Sequence, residues 1–128
     1  MNWPAVQLDI LCARIDTHDP RRQPNEHIEY IDLSAIDQVT KQITGASHIQ
    51  GADAPSRARQ LLAAGDVLVS TVRPNLNAVA VVDEQLSGAT GSTGFSVLRP
   101  KQDELDGRYL FQWVKSPAFI EEMVAQAT

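Results

Sequence analysis

The 128-residue sequence has one cysteine, Cys12, so no disulfide can close within the chain and no cysteine cluster can hold a metal. It has no apolar run near the roughly 20 residues that a spanning helix needs. Its charged share of 21% is also high for a chain embedded in lipid. The opening MNWPAVQLDI lacks a basic segment followed by a long apolar one, so no secretory signal is read there, and a cytoplasmic location is the expectation. Positive charge is in deficit: 11 Lys and Arg stand against 16 Asp and Glu, a net charge of −5. Nucleic-acid binding by charge needs a basic face, and on this chain such a face has to be local. There is no internal repeat and no low-complexity segment.

The length fits one domain with one modest core. The most tightly ordered stretch runs from Ala54 to Pro100. Ser56 is placed to cap a helix over Arg57 to Ala64, which Gly65 would end. Val67 to Val72 has the branched residues and the length of a strand, and Ala78 to Val82 forms a second strand after the turn at Arg73 to Asn77. Phe95 to Leu98 is a third, stopped by Arg99 and Pro100. Before this stretch, Ala5 to Ala13 fits a short helix or a strand. Thr17 to His27 reads as a polar loop and Ile28 to Ile31 as a strand with one wet face. Leu33 to Asp37 fits a single helical turn, Val39 to Ile43 another strand, and Gly45 to Pro55 a loop. After it, Leu86 to Gly94 reads as loop until the Phe95 strand. Tyr109 to Lys115 has helical spacing. Ser116 and Pro117 interrupt it and start a second helix over Ala118 to Ala127. Strands and helices mixed without alternation predict an α+β fold with a curled, mostly antiparallel sheet and short peripheral helices.

Several enzyme-like groupings can be weighed against plainer roles. His18, Asp19, Glu26 and His27 are metal-ligand types, but they match no tight motif and sit in a proline-containing polar loop, so solvated side chains are expected. His48 stands alone. Ser70, His48 and Asp66 can be arranged on paper as a hydrolytic triad, yet Ser70 lies in a strand pattern with no nucleophile elbow. Cys12 lies in an apolar stretch that favours packing. Gly88, Gly91 and Gly94 resemble a phosphate loop only in composition. Trp113 and Phe119 have the spacing of core anchors. The arginines offer more: Arg57, Arg59 and Arg73 cluster in the central stretch, with Arg21 and Arg22 in an earlier loop. Arginine grips phosphate as a fork or reads guanine bidentately. Ser56, Asn75, Asn77, Ser92 and Thr93 are short polar groups of the kind that hold phosphates or base edges. A solvated, well-capped turn is the competing account of the same residues.

The order of the pieces carries a resemblance. It begins with Trp3, Val6 and Leu8, then Ala54-Pro55-Ser56-Arg57-Ala58-Arg59 and Gly65-Asp66-Val67-Leu68-Val69-Ser70. Thr71-Val72-Arg73-Pro74 and Ser92-Thr93-Gly94-Phe95 follow, then Val97-Leu98-Arg99-Pro100, and Tyr109-Leu110 ahead of Ser116-Pro117 and Phe119. In this order the sequence resembles the target recognition domain of specificity (S) subunits from type I restriction-modification systems. The resemblance implies a DNA-binding module without catalysis or cofactor. It would direct an adenine methyltransferase (M) subunit, and indirectly a restriction (R) subunit, to one half of a split target in double-stranded DNA. On this resemblance residues 1–128 would form one such domain; the chain departs from the family's pattern in having no long spacer helix after Thr128, as expected of a truncated product, a half specificity subunit or an excised fragment. Arg57, Arg59 and Arg73 are then the expected DNA contacts, with Ser56, Asn75, Ser92 and Thr93 beside them. The alternative is a protein-interaction fragment that binds the methyltransferase without reading DNA.

Overall fold

Four consecutive residues, Val67–Ser70, are buried on both faces, and the main packing is built around them. The structure is a computed structural model that describes residues 12–13, 15–72, 76–101 and 106–126. In chain order the strands are β1 (Cys12–Ala13), β2 (His27–Ile31), β3 (Ile36–Asp37), β4 (Gln42–Ile43), β5 (Ser47–Gln50) and β6 (Ala58–Leu61). They continue as β7 (Val67–Ser70), β8 (Val79–Val81), β9 (Thr90–Ser92) and β10 (Phe95–Pro100), followed by helices α1 (Gly107–Val114) and α2 (Pro117–Gln126). One sheet has the order β1-β10-β7-β8 and is antiparallel throughout. A second has the order β5-β2-β9-β6, and in it β2 and β9 run parallel, with Tyr30 opposite Thr90. β3 and β4 make a separate ribbon. The α+β class holds, with mostly antiparallel pairing and few short helices. The strands are divided between two four-stranded sheets and a ribbon, not gathered into one curled sheet.

Alternation along β7 explains the layers. Leu68 points into a core with Ile31, Leu62, Ala80, Val82 and Phe95. Val67 and Val69 point the other way, onto Val79, Leu110, Val114 and Phe119. Burial of each large side chain of this kind contributes about 1.5–3 kcal/mol before the entropy of ordering is subtracted. Leu110 and Val114 are four apart, so one face of α1 meets the sheet. Asp106 starts α1 by accepting from the Arg108 amide at 2.8 Å. The Ser116 hydroxyl accepts from the Phe119 amide at 3.3 Å and opens α2. Trp113 and Phe119 meet edge to face at 4.7 Å, as core anchors should. Among the described residues, no helix is long and apolar enough to cross a membrane.

The expected helix over Arg57 to Ala64 does not form. A turn closes where the Ala58 amide reaches the Pro55 carbonyl at 3.0 Å, and β6 then pairs with β9. Ser56 is therefore a turn residue and not a helix cap. Helix propensity in this stretch is overridden by a partner some thirty positions on, Ala58 facing Ser92 and Leu61 facing Thr90. Two expected loops also contain strands, β5 within Gly45 to Pro55 and β9 within Leu86 to Gly94. The strand expected over Val39 to Ile43 shrinks to β4, because residues 38–41 turn, with Lys41 at φ 57°. The strand at Ile28 to Ile31 is present, but its last two residues are both buried, so it has no continuous wet face. Of the helical turn expected over Leu33 to Asp37, Leu33–Ala35 forms a 3-10 turn, and Ile36–Asp37 extend as β3 against β4. The stretch from Ala5 to Leu11 and the Cys12 side chain lie outside what is described.

Candidate nucleic-acid interface

Two turns far apart in sequence are locked together at the edge of the second sheet. The first is the 3-10 turn Pro20–Arg22, whose start is capped by Asp19 accepting from the Arg21 amide at 3.1 Å. The second is the 3-10 turn Gly51–Asp53 and the segment after it. The Gly51 amide donates to the Glu26 carbonyl at 2.8 Å, and the Ala52 amide to the Pro24 carbonyl at 3.1 Å. A Cβ on Gly51 would strike the carbonyl oxygens of both Pro20 and Gln23, so only glycine permits this approach. Arg21 completes the lock, its Nε donating to the Ala54 carbonyl at 2.8 Å.

Ser56 and Arg57 follow on an exposed turn. The Thr93 amide donates to the Arg57 carbonyl at 2.9 Å, so exposed Thr93 stands beside exposed Arg57. Three of the expected contacts, Ser56, Arg57 and Thr93, are thus brought together. Arg59 is partly engaged within the protein. It pairs with Asp19 at 3.4 Å and its Nε donates to the Ser56 carbonyl at 3.1 Å, with 41% of its side chain still exposed. Ser92 needs correcting as a surface group: it is fully buried, and its hydroxyl accepts from the Gly94 amide at 3.1 Å. It also bonds the phenol of Tyr30, whose pKa burial raises while Ser92 and the nearby Arg57 charge oppose that shift. Asn77 is likewise inward, donating from Nδ2 to the Val114 carbonyl at 2.9 Å and so closing the end of α1. Arg73 and Asn75 lie outside the described residues.

The other cations can be sorted by what they already hold. Lys41 donates to the Asn77 carbonyl at 2.6 Å, and Arg108 pairs with Asp106 at 3.7 Å. Lys115 sits over the Phe111 ring at 4.3 Å. Arg99 grips Asp66 with both arms, Nε to Oδ1 at 2.7 Å and the second nitrogen to Oδ2 at 2.9 Å. That hydrogen bonding raises the Arg99 pKa further. Among the described residues, Arg22, Arg57 and Lys101 are the cations whose side chains make no hydrogen bond, ion pair or ring contact, and all three are exposed.

The enzyme-like groupings resolve otherwise. Asp66 is fully buried, and beyond Arg99 it accepts from the Ala63 amide at 2.8 Å, so it is not oriented toward a histidine. The Ser70 hydroxyl is turned back on Val72, donating to its carbonyl at 2.8 Å. Gly91 and Gly94 pack against Leu62 and Leu33 and do not cradle an anion. The ion pair between Asp66 and Arg99 escapes sequence reasoning, since 33 residues separate its halves. The histidines are less scattered than they read. His18, His27 and His48 line one cleft of about 480 Å³ with Glu26 and Glu29, and His18 Nε2 meets Thr90 Oγ1 at 2.9 Å. No group of three His, Cys, Asp or Glu among the described residues is arranged to hold a metal ion.

No family model matches the chain, and no curated protein matches it significantly. Solved structures do match. The HsdS subunit from Thermoanaerobacter tengcongensis is 37% identical with a TM-score of 0.83, over 85% of this chain and 28% of that one. The same values hold for a chain from a structure of complex assembly and conformational transition in the type I R-M system. This chain therefore spans 28% of the length of those relatives, and within that span it shares their fold and much of their sequence.

Proposed function

We propose that this chain is one target recognition domain of the specificity-subunit kind found in type I restriction-modification systems, and that it reads one half-site in double-stranded DNA. The observation that carries the proposal is the likeness to HsdS, a TM-score of 0.83 at 37% identity over 85% of the chain. The edge bearing Ser56, Arg57 and Thr93 supports it. Arg57 offers a guanidinium fork with no internal partner, matched to a phosphate or to a guanine edge. Ser56 and Thr93, exposed in the same turns, carry hydroxyls able to donate to phosphate oxygens. The role is binding, with methylation and cleavage carried by an adenine methyltransferase subunit and, through it, a restriction subunit. A net charge of −5 leaves this chain few phosphates to neutralise by itself, so the partner subunits supply much of the salt-sensitive affinity.

Selection of duplexes from a random pool tests the proposal, with the chain alone and with its methyltransferase subunit at low salt. A recurring half-site is the expected result. Recovery of no preferred sequence in either form overturns it.

A second reading has its own support. An apolar groove of about 380 Å³ is lined by Gly65, Val81, Asp106, Gly107, Arg108, Phe111 and Gln112, and Val81 stands on the edge strand β8. On this reading the chain binds the methyltransferase through that groove and reads no DNA. Co-purification with the methyltransferase, joined to a failure of the duplex selection, favours it.

A further inference from the structure

We propose that Arg22 is a second phosphate contact on the same DNA-reading edge, carried there by a clasp in which Arg21 and Gly51 are the positioning residues. The inference rests on the DNA-binding reading above and extends it to a turn outside the central stretch. Arg22 ends the 3-10 turn Pro20–Arg22, and its side chain is exposed with no internal partner. The segment that bears Arg57 is fastened to this turn on both sides of Arg57. On one side Arg21 Nε holds the Ala54 carbonyl at 2.8 Å. On the other, Asp19 pairs with Arg59 at 3.4 Å, and the His18 amide donates to the Arg59 carbonyl at 2.8 Å. Arg22 is next in sequence to one fastening and Arg57 lies between the two. The two free guanidinium groups are therefore carried on segments that are fastened to each other.

One of the neighbouring carboxylates is already taken up inside the clasp. Asp19 is occupied by Arg59 and by the Arg21 amide. Asp53, exposed on the Gly51–Asp53 turn, and Glu26, exposed where its carbonyl holds the Gly51 amide, are the carboxylates of the clasp that oppose the patch. Gly51 matters because its backbone lies where any side chain would strike two carbonyls, so the turns cannot be this close with another residue there. The division of labour between neighbours is clear: Arg21 is turned inward as a strut, and Arg22 is left outward as a contact.

The test uses the whole chain on a duplex carrying its selected half-site, over about 50 to about 200 mM salt. Arg22→Ala and Arg22→Gln are compared with Arg57→Ala, with Lys101→Ala as a free cation elsewhere. Losing one phosphate contact lowers the salt slope by about one, so the affinity drop across that salt range shrinks about threefold. That change is expected for both Arg22 variants and for Arg57→Ala, and not for Lys101→Ala. Arg21→Ala is expected to cancel the effect of Arg22: the double variant then has the slope of Arg21→Ala alone, a coupling that a general loss of fold stability does not produce. If Arg57→Ala flattens the slope and the Arg22 variants behave like Lys101→Ala, the inference fails and the DNA-binding reading stands. If neither arginine alters binding to a duplex that the chain has selected, this edge is not the contact surface and the inference fails; the DNA-binding reading fails only where no half-site is selected at all.

Discussion

The two four-stranded sheets use polar groups in opposite ways. In the β1-β10-β7-β8 sheet they turn inward. Asp66 is fully buried and met on both oxygens by Arg99, with the Ala63 amide as a further donor, and Asn77, at the other end of the β7–β8 pair, closes α1 from below the surface. In the β5-β2-β9-β6 sheet the turns at the edge engage Arg21, Arg59 and Ser92 internally but leave Ser56, Arg57, Thr93 and Arg22 facing out. Both regions carry arginine close to aspartate in space, so composition does not distinguish them. What differs is whether the fold supplies each guanidinium with a partner. One sheet is a scaffold, and the other presents a surface.

The contrast is broken most strongly at Asp66. Removing one half of a buried ion pair costs about 3–5 kcal/mol. The Arg99 side chain is 30% exposed and can turn toward water, so Asp66→Ala is expected near the lower bound, about 3 kcal/mol, read as a fall in the urea midpoint. Gly51→Ala comes next. Forced overpacking costs about 1–3 kcal/mol, and here the added methyl meets backbone oxygens that cannot swing aside. The loss is expected to be local to the clasp, with faster hydrogen exchange at the Ala52 amide than at β7. Asn77→Ala removes the bond to the Val114 carbonyl at a residue with φ 50°, and about 1–2 kcal/mol should be lost in the same unfolding assay. Arg57→Ala sharpens the comparison by its smallness: stability within about 0.5 kcal/mol of the parent, measured beside the weakened DNA binding.

Acid tests the scaffold in a different way. The Asp106 carboxyl is held below its ordinary value of 3.8 first by the Arg108 amide, and Asp37 by the amides of Thr40 and Val39. Lowered carboxyl values mean that the stabilisation is present above the unfolded value and is lost as pH falls through the folded one. Fraying of the first turn of α1 is therefore expected below about pH 4, and an Asp106→Asn variant should lack that step in a circular-dichroism titration.

Much of the scaffold is legible in the sequence because its signals are local. β7 is a branched apolar run, α1 has helical spacing, and Gly65, at φ 90°, marks its turn. The second sheet hides for the opposite reason. β9 holds Gly91 and Ser92, and Ile49 is the one strong strand former in β5; both become strands because β2 and β6 lie alongside. β6 carries helix-favouring residues and is recruited by that same distant pairing. The site inherits this difficulty. Ser56, Arg57 and Thr93 stand out by residue type, but Ser92 next door is buried by Tyr30, a contact that no local pattern reveals. Arg22 reads as loop charge until the clasp joins its turn to the segment bearing Arg57.

The parallel pairing of β2 with β9 has a consequence for how the chain is made. β2 and β5 pair within the first fifty residues, yet the neighbour on the other side of β2 is β9, at Thr90–Ser92. On a ribosome adding about 5–20 residues each second, that ribbon emerges seconds before its partner strand exists. A lone two-stranded ribbon is at best marginally stable in water, and pairings of such long sequence separation are slow to form. The edge of Tyr30 and Ile31 is thus open to other nascent chains until β9 arrives. Slower translation of the intervening segment lengthens that window, and yield of folded protein becomes a matter of synthesis timing as well as of final stability.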